Sequence, residues 1–80
     1  MKIPRDVGGA ELAKNLARYG YHVTRQSGSH LRLTTVTGRQ HHITIPAHSA
    51  LRVGTLSAIL EEVAQHLKRE KIELIKELWG

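Results

Sequence analysis

Three short runs between Tyr21 and Ile45 constrain what this chain can fold into more than any other feature. Tyr21–Gln26, His30–Thr35 and Gln40–Ile45 alternate in side-chain character with the two-residue period of a β-strand. Ser27-Gly28-Ser29 separates the first two, Thr37-Gly38 the second and third, and Pro46 closes the last. Connections this short leave no room for helical crossovers, so the strands must pair antiparallel. A helix is expected ahead of them, from Gly9 to Tyr19. Leu12, Ala13, Leu16, Ala17 and Tyr19 fall on one side, Glu11, Lys14, Asn15 and Arg18 face water, and Gly20 ends it. After a loop over residues 46–54, Leu56, Ile59, Leu60, Val63, Ala64 and Leu67 recur at helical spacing, with Thr55 the expected N-cap. A break at Lys68 should precede a last helix, Arg69 to Trp79, turning Ile72, Ile75, Leu78 and Trp79 inward. This order predicts an α+β domain: a three-stranded antiparallel sheet with helices on one face.

Eighty residues make a single small domain, residues 1–80, which buries only roughly 60% of its unfolded surface. Without cysteine, neither a disulfide framework nor a thiolate zinc site is open to it, as suits a reducing cytosol. No apolar run approaches the ~20 residues of a membrane span, and Met1 to Asp6 has no signal-peptide core. The expectation is a soluble, cytoplasmic protein without a membrane partner.

Charge narrows the partner further. The net charge is +5, yet residues 12–60 hold no carboxylate while carrying Lys14, Arg18, Arg25, Arg32, Arg39, Arg52 and five of the six histidines. A basic centre beside a near-neutral tail suits phosphate contact and points to nucleic acid. Within that stretch, Gly28-Ser29 forms a tight turn suited to close backbone approach to a phosphate, with His30 directly after it. Alternation sets His30, Arg32 and Thr34 on one face, opposite Leu31 and Leu33. An imidazole titrating near ~6.5 suits proton transfer at neutral pH, and arginine supplies bidentate phosphate contacts. From the residues alone, His30 is either a catalytic group or a surface histidine bracing a hairpin. Arg25, one strand back, is a candidate for the same region. Lys14 and Arg18, one turn apart on the first helix, read equally as phosphate contacts or as a solvated face.

His48 has several readings: orienting its loop, meeting a protein partner, acting as a second proton-transfer group, or hydrogen-bonding backbone to position Pro46-Ala47. Metal chemistry finds little support. His41 and His42 point to opposite faces of a strand, and the spacing of His30, His42 and His48 matches no zinc pattern. A two-metal nuclease needs carboxylates, which the central stretch lacks. No metal or other cofactor is expected. Gly8-Gly9 reads as a flexible lead-in to the first helix, and Trp79 as a core residue.

Taken together, these segments resemble the HicA (YcfA-like) toxins, small messenger-RNA-cleaving members of toxin–antitoxin pairs. Three pieces carry the resemblance over about residues 8–67. One is Gly20-Tyr21, Arg25 and Gly28-Ser29-His30; the second is Pro46 with His48-Ser49; the third is Gly54-Thr55-Leu56 with Ile59-Leu60. The resemblance implies an α-β-β-β-α fold similar to a double-stranded-RNA-binding domain. It further implies metal-independent endoribonuclease activity on mRNA with His30 catalytic, and a HicB-type antitoxin as partner. The chain departs from the family in its longer, more charged C-terminal tail and in His41-His42.

A non-catalytic RNA-binding module with the same fold is the alternative, although with Tyr19, Tyr21, Trp79 and no phenylalanine the chain is poorly equipped as a base-stacking platform. A regulatory protein whose basic face meets an acidic partner is the third class.

Overall fold

The computed structural model describes residues 3–80. Helix α1 (Gly9–Leu16) tightens into a 3-10 turn (Ala17–Tyr19), and three strands follow: β1 (His22–Ser27), β2 (His30–Thr35) and β3 (His41–Pro46). Helices α2 (Val53–Leu67) and α3 (Lys71–Trp79) complete the chain. The strands form one antiparallel sheet in the order β1-β2-β3, the expected α+β arrangement. Gly28 and Ser29 make a two-residue hairpin loop between β1 and β2, and Gly28 has the positive φ, 57°, that such loops require.

Period-two alternation sorts the sheet into two faces. Leu31, Leu33 and Thr35 of β2 and Ile43 and Ile45 of β3 point inward. Against them pack Leu12 and Leu16 of α1, Leu56, Leu60 and Val63 of α2, and Leu74 and Ile75 of α3. The helices therefore cover one face and leave the other to solvent. Strand β1 departs from its alternating pattern, since all six of its residues are exposed. It is an edge strand, and its register shifts at Thr24 between Val23 and Arg25, so Val23 is not drawn into the core. Tyr21, just ahead of the strand, is the residue fully buried there.

Several local expectations need correction. Helix α2 starts at Val53 with Arg52 at the N-cap and no side-chain cap, so Thr55 lies inside the helix. The start is set upstream, where Leu51 is buried and its N–H donates to the Val7 carbonyl at 2.7 Å. Ile72 faces solvent. The buried arc of α3 centres on Leu74 and Ile75, and at about 100° per residue Ile72 falls off its flank. Gly8-Gly9 is a packing device rather than a loose lead-in: a Cβ on Gly9 would lie 2.0 Å from the Pro46 carbonyl oxygen.

The break between α2 and α3 falls where expected. Lys68 adopts the left-handed conformation (φ 57°), with Lys68 N–H donating to Gln65 O at 3.2 Å and Arg69 N–H to Ala64 O at 3.0 Å. Glu70 and Glu73 then cap α3 reciprocally. Glu77 ties this tail to the first helix: Tyr19 Oη donates to its carboxylate at 2.6 Å, Arg69 pairs with the same group, and Arg18 Nη1 donates to its carbonyl at 2.7 Å. The Arg69 and Tyr19 bonds hold the Glu77 carboxyl down to about 2, whereas burial and Glu77 push the Tyr19 hydroxyl up to about 12.

Candidate nucleic-acid interface

On the solvent face, strand register assembles side chains into three cross-strand rows. Ser27, His30 and Pro46 form the first, Arg25, Arg32 and Thr44 the second, and His22, Thr34 and His42 the third. Two arginines and three histidines thus share a face whose strand residues include no carboxylate. Arg25 and Arg32 stand directly opposite one another. Like charges in that position destabilise a sheet, and an anion lying across them reverses the sign. This arrangement is poor for stability alone and good for binding phosphate.

One end of the face is laced together by backbone. Ala47 N–H donates to the Ser29 carbonyl at 2.6 Å, and Gly9 N–H donates to the His48 carbonyl at 2.9 Å. The Gly28-Ser29 turn, the loop bearing His48 and the start of α1 therefore hold one another in place. His30, exposed at the first position of β2, pairs in register with Ser27 and Pro46 at this end. The two segments that carry His30 and His48 are thereby neighbours, although eighteen residues separate them in sequence.

The two helix-borne candidates lie elsewhere. Lys14 lines a shallow groove of about 460 Å³ between α1 and the free edge of β1, with Ala10, Ala13, Ala17 and Val23. Arg18 sits on the helical side of the sheet, committed through Nη1 to the Glu77 carbonyl. A family profile described as the HicA toxin of bacterial toxin–antitoxin systems matches residues 9–64. The chain belongs to the HicA toxin family. The matched segment runs from the first residue of α1 into α2, so it spans the whole sheet and both segments of the laced end. No curated protein and no solved structure matches the chain.

Two clusters in this HicA-family chain escaped sequence reasoning. Thr24 Oγ1, Thr34 Oγ1 and His42 Nδ1 form a line across all three strands on the solvent face. The bulge at Thr24 hid it, because a register shift cannot be read from alternation. The second lies at the inner edge of β3. There the Tyr21 hydroxyl meets His41 Nδ1 at 2.7 Å, His41 Nε2 lies 3.4 Å from Glu62, and the rings of His41 and His66 stack 4.5 Å apart. His66 Nε2 donates to the Thr37 carbonyl at 2.9 Å. His41 and His42 thus point to opposite faces, as alternation requires. Burial, then the His66 charge, lowers the His41 pKa against the opposing pull of Glu62. Burial and Glu62 push the Tyr21 hydroxyl up to about 12, so it stays protonated beside Nδ1. Among the described residues, no three His, Cys, Asp or Glu side chains gather as metal ligands would, and no helix is long and apolar enough to cross a membrane.

Proposed function

We propose that this chain is the toxin of a toxin–antitoxin pair and acts as a metal-independent endoribonuclease on messenger RNA, with His30 as its proton-transfer group. The observation that carries the reading is an exposed imidazole at the laced end of a carboxylate-free face, one row from the opposed Arg25 and Arg32. In an RNA the nucleophile at hand is the ribose 2′-hydroxyl. His30 takes its proton as O2′ attacks phosphorus, the P–O5′ bond breaks, and the departing 5′-oxygen takes up a proton. Arg25 and Arg32 offset the negative charge that builds on the phosphoryl oxygens. The backbone of Gly28 and Ser29 lets the phosphate come close to the turn. His48, on the adjoining loop, is the candidate donor to the leaving oxygen. Lys14 extends the basic track around the β1 edge, and Arg18 adds charge through the donors it does not spend on Glu77.

The same face suits a HicB-type antitoxin, because an acidic surface laid on it would offset the Arg25–Arg32 repulsion and occlude His30 together. The test is cleavage of a structured messenger RNA by purified protein in excess EDTA, with His30→Ala alongside. Cutting by wild type and not by the variant is the expected result. Cutting by both removes His30 from the mechanism. Binding without cutting by either reduces the chain to an RNA-binding module.

A further inference from the structure

The line of polar side chains across the solvent face has a direction. Thr24 Oγ1 lies 3.3 Å from the Arg32 carbonyl, Thr24 and Thr34 hydroxyls are 2.9 Å apart, and Thr34 Oγ1 lies 2.7 Å from His42 Nδ1. A carbonyl can only accept, so with all three bonds made at once the Thr24 hydroxyl donates to it and accepts from Thr34. Thr34 has then spent its proton and must accept from His42. In that arrangement each hydroxyl donates once and accepts once, and Nδ1 carries the hydrogen. The neutral imidazole therefore presents its Nε2 lone pair from an exposed strand position.

We propose that His42 Nε2 accepts a hydrogen bond from a ribose 2′-hydroxyl, making His42 a contact that selects RNA over DNA outside the cleavage centre. The inference rests on the nucleic-acid reading of this face. His42 pairs with Thr34, four residues along β2 from His30, so roughly 13 Å separates the two imidazoles along the strand. They cannot touch one phosphodiester, and His42 engages a different nucleotide. A bare lone pair has no use for phosphate oxygens, which are themselves acceptors. It needs a hydroxyl or amine donor. The outer rows supply Arg, Ser, Thr and His but no larger aromatic ring on which a base could stack and offer its edge. A strand following the two arginines by its backbone presents a 2′-hydroxyl at every nucleotide.

The test has two parts, both on the full chain and above the ordinary histidine range of pH. Nitrogen-15 shifts of the His42 ring in the free protein report the tautomer: Nδ1–H is expected, and Thr34→Val should abolish that preference. Binding of a short RNA is then scanned with single 2′-deoxy substitutions against wild type and His42→Ala. One deoxy position away from the cut site should weaken wild type roughly fivefold, as loss of one hydrogen bond does, and leave His42→Ala unchanged. All three residues are surface-facing, so the variants retain the core. An Nε2–H tautomer, or the same deoxy profile in both proteins, overturns the proposal, as does equal weakening of RNA and DNA by His42→Ala. Cleavage with no His42 signature would leave the nuclease reading standing. A His42 signature without cleavage would do the reverse. Absence of any RNA binding would end both.

Discussion

Replacing Gly9 by alanine should cost this protein more than any other single methyl group added to a glycine. The new Cβ would lie 2.0 Å from the Pro46 carbonyl oxygen, 3.0 Å from its carbon and 3.1 Å from Ala47 Cα, all backbone atoms that cannot rotate away. Ordinary contact begins near 3.4 Å, so α1 and the β3–α2 loop must part by more than an ångström. Overpacking of this kind costs about 1–3 kcal/mol. The separation also breaks the Gly9-to-His48 backbone bond, worth about 1 kcal/mol. Part of the loss is returned by alanine's better helix propensity, leaving a deficit of about 2–3 kcal/mol. For a domain of this size that lowers Tm by roughly 10–20 °C. Gly54 is the matched control. It lies inside α2 with nothing near its added Cβ, so Gly54→Ala should raise stability by about 0.5–1 kcal/mol. Thermal melts by circular dichroism measure both. Cleavage by Gly9→Ala, assayed well below its own Tm, should fall on the order of 100-fold, because the loop that carries His48 is displaced. A Gly9→Ala protein melting within a couple of degrees of wild type and cutting at its rate would refute the packing argument.

Acidification should destabilise the fold through His41. Its folded pKa is lowered, so as pH falls through about 6.5 the unfolded chain takes up the proton first and stability is lost toward the depressed folded value. Melts from neutral to mildly acidic pH should show a Tm decline that His41→Gln reduces and Glu62→Gln steepens; an unchanged slope in both variants counts against this origin. Arg32→Thr should leave Tm unchanged or slightly higher while weakening RNA binding and flattening its salt dependence, because it removes a repulsive pair and a phosphate contact together. Parallel losses of Tm and affinity would contradict that separation. Lys68→Gly should raise Tm by roughly 4–8 °C by relieving a left-handed backbone cost of about 1 kcal/mol, and a neutral result would show that the strain is already relaxed.

The turns and helical periods made most of the fold legible in the sequence. Gly20, Gly28-Ser29, Thr37-Gly38 and Lys68 all lie where chain direction changes, and the Leu56–Leu67 stripe faces the sheet as its spacing requires. What stayed hidden depended on register or on distant partners. Alternation along β2 placed His30 and Arg32 on one face, but only strand pairing sets Arg32 opposite Arg25, and the bulge at Thr24 is invisible to pattern. Gly8-Gly9 reads as a loose lead-in because nothing local announces that Pro46 and Ser49 press against it. Thr55 reads as a cap for a related reason: the buried Leu51 and its backbone bond to Val7, which fix the start of α2, leave no local signal. His41 and His66 stack across a separation of twenty-five residues that carries no spacing signal.

The backbone bonds at the laced end also bear on how the molecule comes apart. The amides of Gly9, Ala47 and Leu51 each donate to a carbonyl in a different segment of chain, joining α1, the hairpin turn and the β3–α2 loop like rivets through overlapping plates. Lifting the His48 loop alone would strip all three at once, a loss of about 3 kcal/mol at roughly 1 kcal/mol per bond. Those three amides should therefore exchange their hydrogens with solvent together, in one opening of the loop. The segments that carry His30 and His48 are in this sense released as one unit.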